Sequence, residues 1–232
     1  MHTHRARVAA RSGVAAGALA LIAMATVGIG QSAAAGTPAA LWHMDETTGS
    51  TMVDASGNGN DGRLSGVAIG QEGAAGTGYG FFTTPAIVSV PDSVSLDPGS
   101  AAITVSAQLK MDAVPSASVG DFDVIRKGLA GTKGGDWKME VLDNGYLFCR
   151  FRGSGGAVTW RHSPNLADNA WHQVSCTRDG NQLILTVDGT SWTKTASTGS
   201  IANDQPVLVG SQSRTGVDQY SGLMDEVTIS IG

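Results

Sequence analysis

The clearest pattern in the chain is an alternation of apolar and polar side chains over residues 102–111. Apolar side chains occupy every second position there, with Thr, Ser, Gln and Lys between them. A period of two is typical of a β-strand that buries one face. Similar runs recur over 137–141, 146–152, 171–178, 183–187 and 223–231. Because no useful helical periodicity appears beyond residue 35, the pattern predicts an all-β fold.

Short polar turns separate these predicted strands. Asp143-Asn144-Gly145, Asp179-Gly180-Asn181 and Asp188-Gly189 each stand between two apolar runs. Asn-Gly and Asp-Gly pairs adopt the backbone conformations of tight hairpins. Many short strands joined by such turns predict a β-sandwich of antiparallel sheets.

The two cysteines of the chain lie on apolar strand faces. Cys149 shares its face with Leu147 and Phe151, and Cys176 shares its face with Val174. If the two strands are neighbours, the cysteines can form a disulfide that closes a loop of about 27 residues, worth about 3 kcal/mol in the chain-entropy model. Two buried free thiols are the alternative.

The first 35 residues have the pattern of a secretory signal peptide. Arginines come first, an apolar run over 14–30 follows, and small residues at 32–35 end the segment. This order predicts cleavage after Ala35 and export of the rest. A membrane anchor is the alternative, but the apolar run is at the short limit for a spanning helix.

Composition limits the partners of the exported part. The chain has a formal net charge of −5, and the leader contains three arginines and no acidic residue. An acidic exported protein is a poor partner for nucleic acid or an anionic membrane. The length after residue 35 suits one domain over 36–232. We expect a monomer that is not inserted in a membrane.

Residues 42–62 are unusually rich in side-chain oxygens, and glycines are interleaved among them. Glycines let a loop turn so that neighbouring oxygens converge, and Ca²⁺ takes six to eight oxygen ligands. This predicts a calcium site; an ordinary surface loop is the alternative. In the last strand, Asp225 falls on the same face as Leu223, Val227 and Ile229. An inward carboxylate must be paired, hydrogen-bonded or metal-bound.

Four segments in order resemble the laminin G-like family of concanavalin A-like lectin/glucanase jelly rolls. They are Leu41–Glu46 with Asp54–Gly62, Ile103–Lys110, Trp171–Gly180 leading to Val187–Gly189, and Gly222–Ile229. The resemblance implies two antiparallel sheets with the first and last strands adjacent. It would bring the 45–60 loop next to Asp225, at a junction where many relatives hold calcium.

The calcium ligands predicted at this junction come from both ends of the chain. Residues 54–59 also look like the start of an EF-hand loop, but Ser65 stands where the closing acid is required. An EF-hand is therefore rejected, and the last strand supplies the acid instead. The predicted metal ligands are Asp45, Asp54, Asn58, Asn60 and Asp225.

The sequence carries no recognisable catalytic motif. Glucanases on this scaffold carry paired acids in the form E-x-D-x-x-E, and jelly-roll lyases carry Gln-x-His and Tyr-x-Lys strands; neither pattern occurs. No Cys/His spacing typical of zinc occurs either. We therefore predict no catalytic residues.

A binding surface is predicted on the strand that follows Gly145. Tyr146, Phe148, Arg150 and Arg152 share its outward face, and Trp160 is expected to extend this stripe. Aromatic rings stack on sugars, and arginine binds carboxylate or sulfate through two parallel hydrogen bonds. The alternative is an ordinary strand face whose arginines pair with local acids. We expect a secreted carbohydrate-binding or adhesion module; the alternatives are a protein-interaction domain of the cell envelope and an unrecognised glycan hydrolase or lyase.

Overall fold

The computed structural model describes residue 2 and the continuous range 37–232. The predicted signal peptide and its cleavage point lie outside that continuous range, so both stay predictions. Within the described residues, no helix is both long enough and apolar enough to cross a bilayer.

The described range consists of short strands and one 3₁₀ turn at Val94–Leu96. The strands are β1 (Thr37–Trp42), β2 (Thr51–Met52), β3 (Gly62–Ser65), β4 (Ala68–Glu72), β5 (Thr77–Phe81), β6 (Ile87–Val90), β7 (Ile103–Lys110), β8 (Asp121–Lys127), β9 (Asp136–Leu142), β10 (Leu147–Gly153), β11 (Gly156–Arg161), β12 (Trp171–Asp179), β13 (Gln182–Val187), β14 (Thr190–Thr195), β15 (Val207–Val209) and β16 (Gly222–Ile231). The all-β prediction is confirmed.

The strands form two antiparallel sheets, which confirms the predicted jelly-roll sandwich. The first sheet has the order β14-β13-β12-β7-β16-β5-β4, with β1 also paired to β16. The second sheet has the order β11-β10-β9-β8-β15-β6-β3-β2. The first and last strands are therefore neighbours, as the resemblance implied: Trp42 lies opposite Val227.

The core lies between the two sheets and follows the predicted alternation. In β7, buried and half-buried residues alternate over the whole strand. Trp42 and Trp137 are fully buried, whereas Trp171 is only half-buried. Burying a large apolar side chain contributes roughly 1.5–3 kcal/mol. The inward faces of both sheets are therefore what makes the fold stable.

The predicted disulfide is present, but it joins the two sheets rather than neighbouring strands. Cys149 lies on β10 in the second sheet and Cys176 on β12 in the first, with a Cα–Cα distance of 5.6 Å. Both side chains point inward from opposite sides of the core. The shared apolar environment inferred from the sequence is thus correct, and the bridge crosses the core instead of one sheet.

A buried lysine holds one end of the second sheet. Lys127 Nζ is 2.6 Å from Asp92 Oδ1 and 3.0 Å from Asp97 Oδ1, and it also donates to the carbonyl of Asn203. The lysine side chain is fully buried. A buried cation requires such paired, hydrogen-bonded partners. The β6–β7 and β14–β15 connections are therefore both fixed to β8 at this point.

Candidate functional site

The junction of the first and last strands is built around an irregularity in β16. The register of β16 against β7 shifts between Asp225 and Thr228, and Glu226 has a positive φ of 48°. A β-bulge of this kind redirects a side chain. Asp225 is fully buried, with its Oδ2 accepting from the Ala75 N–H at 3.0 Å and its Oδ1 from the Glu226 N–H at 2.9 Å. Burial raises the pKa of Asp225 because it disfavours the charged carboxylate.

Asp45 reaches the same turn between β4 and β5. Its Oδ1 accepts from the Thr77 N–H at 2.8 Å. A Cβ added to Gly76 would lie 2.5 Å from Asp45 Oδ1, and one added to Gly73 would lie 2.8 Å from Asp225 Oδ2. Glycines in the 73–77 turn thus allow two carboxylates to approach one piece of backbone.

His43 and Glu226 flank this pair of acids on the outside. His43 Nδ1 is 3.0 Å from a carboxylate oxygen of Glu226, and the hydrogen bond to Glu226 raises the pKa of His43. The histidine remains largely exposed. The contact between His43 and Glu226 is therefore a second link, at the surface, between the segment after β1 and strand β16.

The other three predicted ligands fasten the 54–60 loop to β1 instead. The Asp54 carboxylate accepts hydrogen bonds from the backbone N–H groups of Leu41, Ser56 and Asn60. Burial opposes its ionisation, but these hydrogen bonds outweigh burial and lower the pKa of Asp54. The side-chain amides of Asn58 and Asn60 both donate to the carbonyl of Ala39.

The five predicted metal ligands therefore divide between two places. Asp54, Asn58 and Asn60 hold β1, while Asp45 and Asp225 meet at the 73–77 turn. Two carboxylates beside a glycine-rich turn are compatible with a hard cation, which takes carboxylate and backbone carbonyl oxygens. Calcium stays a prediction, and the geometry favours Asp45 and Asp225 as its carboxylate ligands.

A different group of acids gathers at the start of β8. Asp121, Asp123 and Asp218 each place a carboxylate oxygen within 4.8 Å of the others, the one such trio of acidic, His or Cys residues within the described part of the chain. Asp123 is fully buried and is 2.7 Å from Arg126 Nη1. Burial and the nearby Asp218 raise the pKa of Asp121. Hard divalent cations accept this donor set.

None of these three acids was among the metal ligands predicted from the sequence, so the trio was missed. Asp121 and Asp123 are two residues apart, so they share a strand face, and that spacing is a signal the sequence contains. The third acid, Asp218, belongs to the loop before β16, and its backbone carbonyl accepts from the Asp123 N–H at 2.8 Å. That contact depends on the tertiary fold.

The outer face of the second sheet presents a transverse row of basic side chains. Register places eight residues side by side from one edge of this sheet to the other: Thr159, Arg150, Lys138, Arg126, Leu208, Ser89, Arg63 and Thr51. Four of these eight are cations. We call this set the basic row; it includes Arg150 from the predicted binding stripe.

Most cations of the basic row contact acids in the flanking rows. Arg150 and Arg152 both lie against the buried carboxylate of Asp136, with Arg150 Nε at 3.0 Å. Lys138 pairs with Glu140 and also lies 5.4 Å from the centroid of the Phe148 ring. This is the pairing that the alternative interpretation of the stripe expected. The arginines are thus fixed in position rather than free.

The structure removes Trp160 from the predicted stripe. Trp160 lies opposite the inward-facing Cys149, so its ring belongs to the inner face of β11. There it packs at the edge of the core, 6.4 Å from the ring of His162, which in turn is 4.8 Å from that of Trp192. Lys194 Nζ lies 5.7 Å from the Trp160 ring centroid. The prediction was wrong because the hairpin register reverses the face assumed for Trp160.

Two carboxylates on neighbouring strands of the outer face resemble the acid pair of a glycosidase. Asp123 and Glu140 are cross-strand partners, and burial raises the pKa of Asp123 to about 6 and that of Glu140 to about 8. Raised carboxyl pKa values are typical of acid catalysts. However, both residues are at most 1% exposed, and each carboxylate is held by Arg126 or Lys138. This arrangement leaves no access for a substrate.

These features define a two-sheet jelly-roll β-sandwich. Residues 82–230 match the Laminin_G_3 family, described as the concanavalin A-like lectin/glucanases superfamily. The chain belongs to this family. A search of curated protein sequences found no match.

Solved structures with the same fold come from larger proteins. The binding domain of Paraclostridial Mosquitocidal Protein 1 is 15% identical, with 84% of this chain and 48% of that chain covered and a TM-score of 0.65. Trypanosoma rangeli sialidase in complex with sialic acid is 16% identical, with 82% and 30% covered and a TM-score of 0.59. Mouse laminin alpha1 LG4-5 is 18% identical, with 65% and 40% covered and a TM-score of 0.50. At these identities the similarity shows the fold, and this chain spans less than half of each structure.

Proposed function

We propose that this chain is an exported, non-catalytic carbohydrate-binding module with a structural calcium ion. The observation that carries the proposal is the outer face of the second sheet, where Arg150 and Arg152 both contact the Asp136 carboxylate. The same strand carries Phe148, and the exposed Tyr146 directly precedes it. The similarity to a sialidase crystallised with sialic acid supports the same ligand class. The disulfide supports export, because disulfides persist in oxidising compartments.

The chemistry of this face suits a polyhydroxylated ligand. A sugar hydroxyl both donates and accepts, so it is satisfied where a fixed donor stands beside a fixed acceptor. Arg150 and Arg152 supply donors around the Asp136 carboxylate, and their ion pairs hold them in place. Tyr146 is 37% exposed and offers a ring on which a sugar face can stack.

The proposed calcium ion would lie at the junction of β1 and β16. Asp45 and Asp225 approach the 73–77 turn from either strand, and a cation between them would bind the folded state alone. Such a ligand stabilises the fold by about 2.7 kcal/mol at 100 times its dissociation constant. Its role is to hold the first strand against the last.

A glycan array probed with the exported chain tests the carbohydrate assignment. We expect binding that Arg150→Ala and Tyr146→Ala each reduce at least tenfold, while Lys133→Ala, an exposed loop variant, leaves it unchanged. Arrays are run with CaCl₂ and with EDTA, and melting temperatures are recorded alongside. An array with no bound glycan would refute the assignment. Release of reducing sugar from any bound polysaccharide would show that the chain is an enzyme instead.

A protein-interaction domain is the second candidate, and an exposed apolar patch favours it. Phe82, Val119 and Val217 are 59%, 43% and 46% exposed and line one cavity of about 480 Å³. Exposed apolar patches mark interaction sites. This candidate predicts that Phe82→Ser abolishes binding to isolated cell envelopes, whereas Arg150→Ala does not. The opposite pattern would support carbohydrate recognition.

A further inference from the structure

A second cavity, of about 360 Å³, lies at the far end of the basic row. Arg63 on β3 and Ser89 on β6 are cross-strand partners that face outward, and Arg214 reaches the same point from the loop before β16. The Arg214 Nη2 atom lies 3.3 Å from Ser89 Oγ. Two arginines from distant parts of the chain therefore line one cavity together with Ser89.

Arg63 and Arg214 differ from the other arginines on the outer face of the second sheet. Arg126, Arg150 and Arg152 are each paired with an aspartate, whereas neither Arg63 nor Arg214 forms a salt bridge with any described residue. No carboxylate lines the cavity. Two uncompensated guanidinium groups in a chain of net charge −5 are a local positive site.

The rest of the cavity combines hydroxyls with an apolar floor. Ile87 faces the cavity yet is only 3% exposed, so it forms a floor rather than a free surface. Pro91 and Pro206 add apolar walls, and Ser65 adds a second hydroxyl beside Ser89. The volume lies at the small end of the range for ligand pockets. It suits one ring with a polar edge rather than an extended chain.

We infer that this cavity binds the anionic group of an acidic sugar, a pyranose bearing a carboxylate or a sulfate, between Arg63 and Arg214. Guanidinium groups bind both anions through paired, charge-assisted hydrogen bonds. The serine hydroxyls bind neighbouring sugar hydroxyls, and the C–H face of the ring packs on Ile87 and the prolines. The inference rests on the proposed carbohydrate-binding function and names the ligand class.

Isothermal titration with matched monosaccharides tests the inference. The probes are methyl β-glucuronide, glucose 6-sulfate, methyl β-glucoside as the neutral counterpart, and inorganic sulfate. We expect at least one acidic sugar to bind at least tenfold more tightly than the neutral glucoside and inorganic sulfate. Whichever acidic sugar binds more tightly identifies the anion as carboxylate or sulfate. Equal affinity for inorganic sulfate and the acidic sugars, or for the glucoside, would overturn the inference.

Two variants locate the site. Arg63→Gln and Arg214→Gln should each weaken acidic-sugar binding at least tenfold without lowering the melting temperature, because neither arginine has an ion pair to lose. Lys133→Gln, which removes one exposed positive charge elsewhere, should change affinity less than twofold. Unchanged binding in Arg63→Gln/Arg214→Gln would refute this site. If that double variant still binds the glycan array through Arg150, the proposed function stands and only the cavity assignment fails. If the unmodified chain binds no glycan on the array, the proposed function itself is refuted.

Discussion

Reduction of the disulfide between Cys149 and Cys176 should remove a calculable part of the stability. The cysteines are 27 residues apart in sequence. In the chain-entropy model the cross-link lowers the entropy of the unfolded chain by about 12 cal/mol/K, or about 3.5 kcal/mol at 25 °C. That is a large share of the roughly 5–15 kcal/mol that stabilises a typical domain. Both cysteines are at most 1% exposed in the disulfide-bonded fold.

Urea denaturation of the oxidised protein and of protein refolded with a phosphine reductant measures the difference. We expect the free energy of unfolding to fall by about 3.5 kcal/mol, with a larger m-value because the reduced unfolded chain exposes more surface. The variant Cys149→Ala/Cys176→Ala is the control and should not respond to reductant. Coincident unfolding midpoints for oxidised and reduced protein would refute the entropic argument.

Three further perturbations follow from the buried polar contacts. Lys127→Met should cost about 3–5 kcal/mol in urea denaturation because it leaves Asp92 and Asp97 without their buried cation; a loss under 1 kcal/mol would contradict this. Burial raises the pKa of Glu140 from 4.5 to about 8, so the folded state retains a proton that the unfolded chain releases. The melting temperature should therefore fall as the pH rises from 4.5 to 8, and Glu140→Gln should flatten that dependence; an unchanged slope would be evidence against it. Asp54→Ala should cost about 2–3 kcal/mol by calorimetry, since three backbone N–H groups lose their acceptor, and an unaltered melt would show that water replaces it.

The alternation of side chains predicted the strand faces wherever a core strand has a regular ladder, and it failed where a bulge interrupts the strand. In β16 the bulge after Asp225 reverses the parity, because Met224 lies opposite inward Leu109 whereas Asp225 lies opposite Gln108 of the outer face. Asp225 is therefore buried beneath the 73–77 turn, and the prediction that it shares the inward face of Ile229 was wrong.

In β10 the ladder is regular, and Cys149 is inward and fully buried as the apolar parity predicted. A one-residue slip would exchange the two faces, so the pattern is strongly determined there. β11 is an edge strand with a weaker pattern, and its face is set by the register of Gly153 opposite Gly156. For that reason Trp160 was placed on the wrong side.

The loop over 42–62 shows what side-chain chemistry alone cannot decide. Its oxygens predicted a cation site, yet Asp54, Asn58 and Asn60 satisfy backbone groups of residues 39–41 and of their own loop. A carboxylate accepts equally well from N–H groups and from a metal, so the outcome depends on which donors the fold brings near. The cavity between Arg63 and Arg214 is likewise a product of the fold, because its two arginines are far apart in sequence.

The ion pairs on the outer face do not argue against a binding role for the arginines. A guanidinium group with a single carboxylate partner retains N–H donors, since it has five. Asp136 is only 1% exposed and contacts both Arg150 and Arg152, so it fixes two long side chains that would otherwise lose rotamer entropy on binding. The paired part of the basic row is therefore suited to neutral hydroxyls, and its far end, where Arg63 and Arg214 line one cavity, is suited to the anion. A single acidic glycan lying along the row would use both kinds of site.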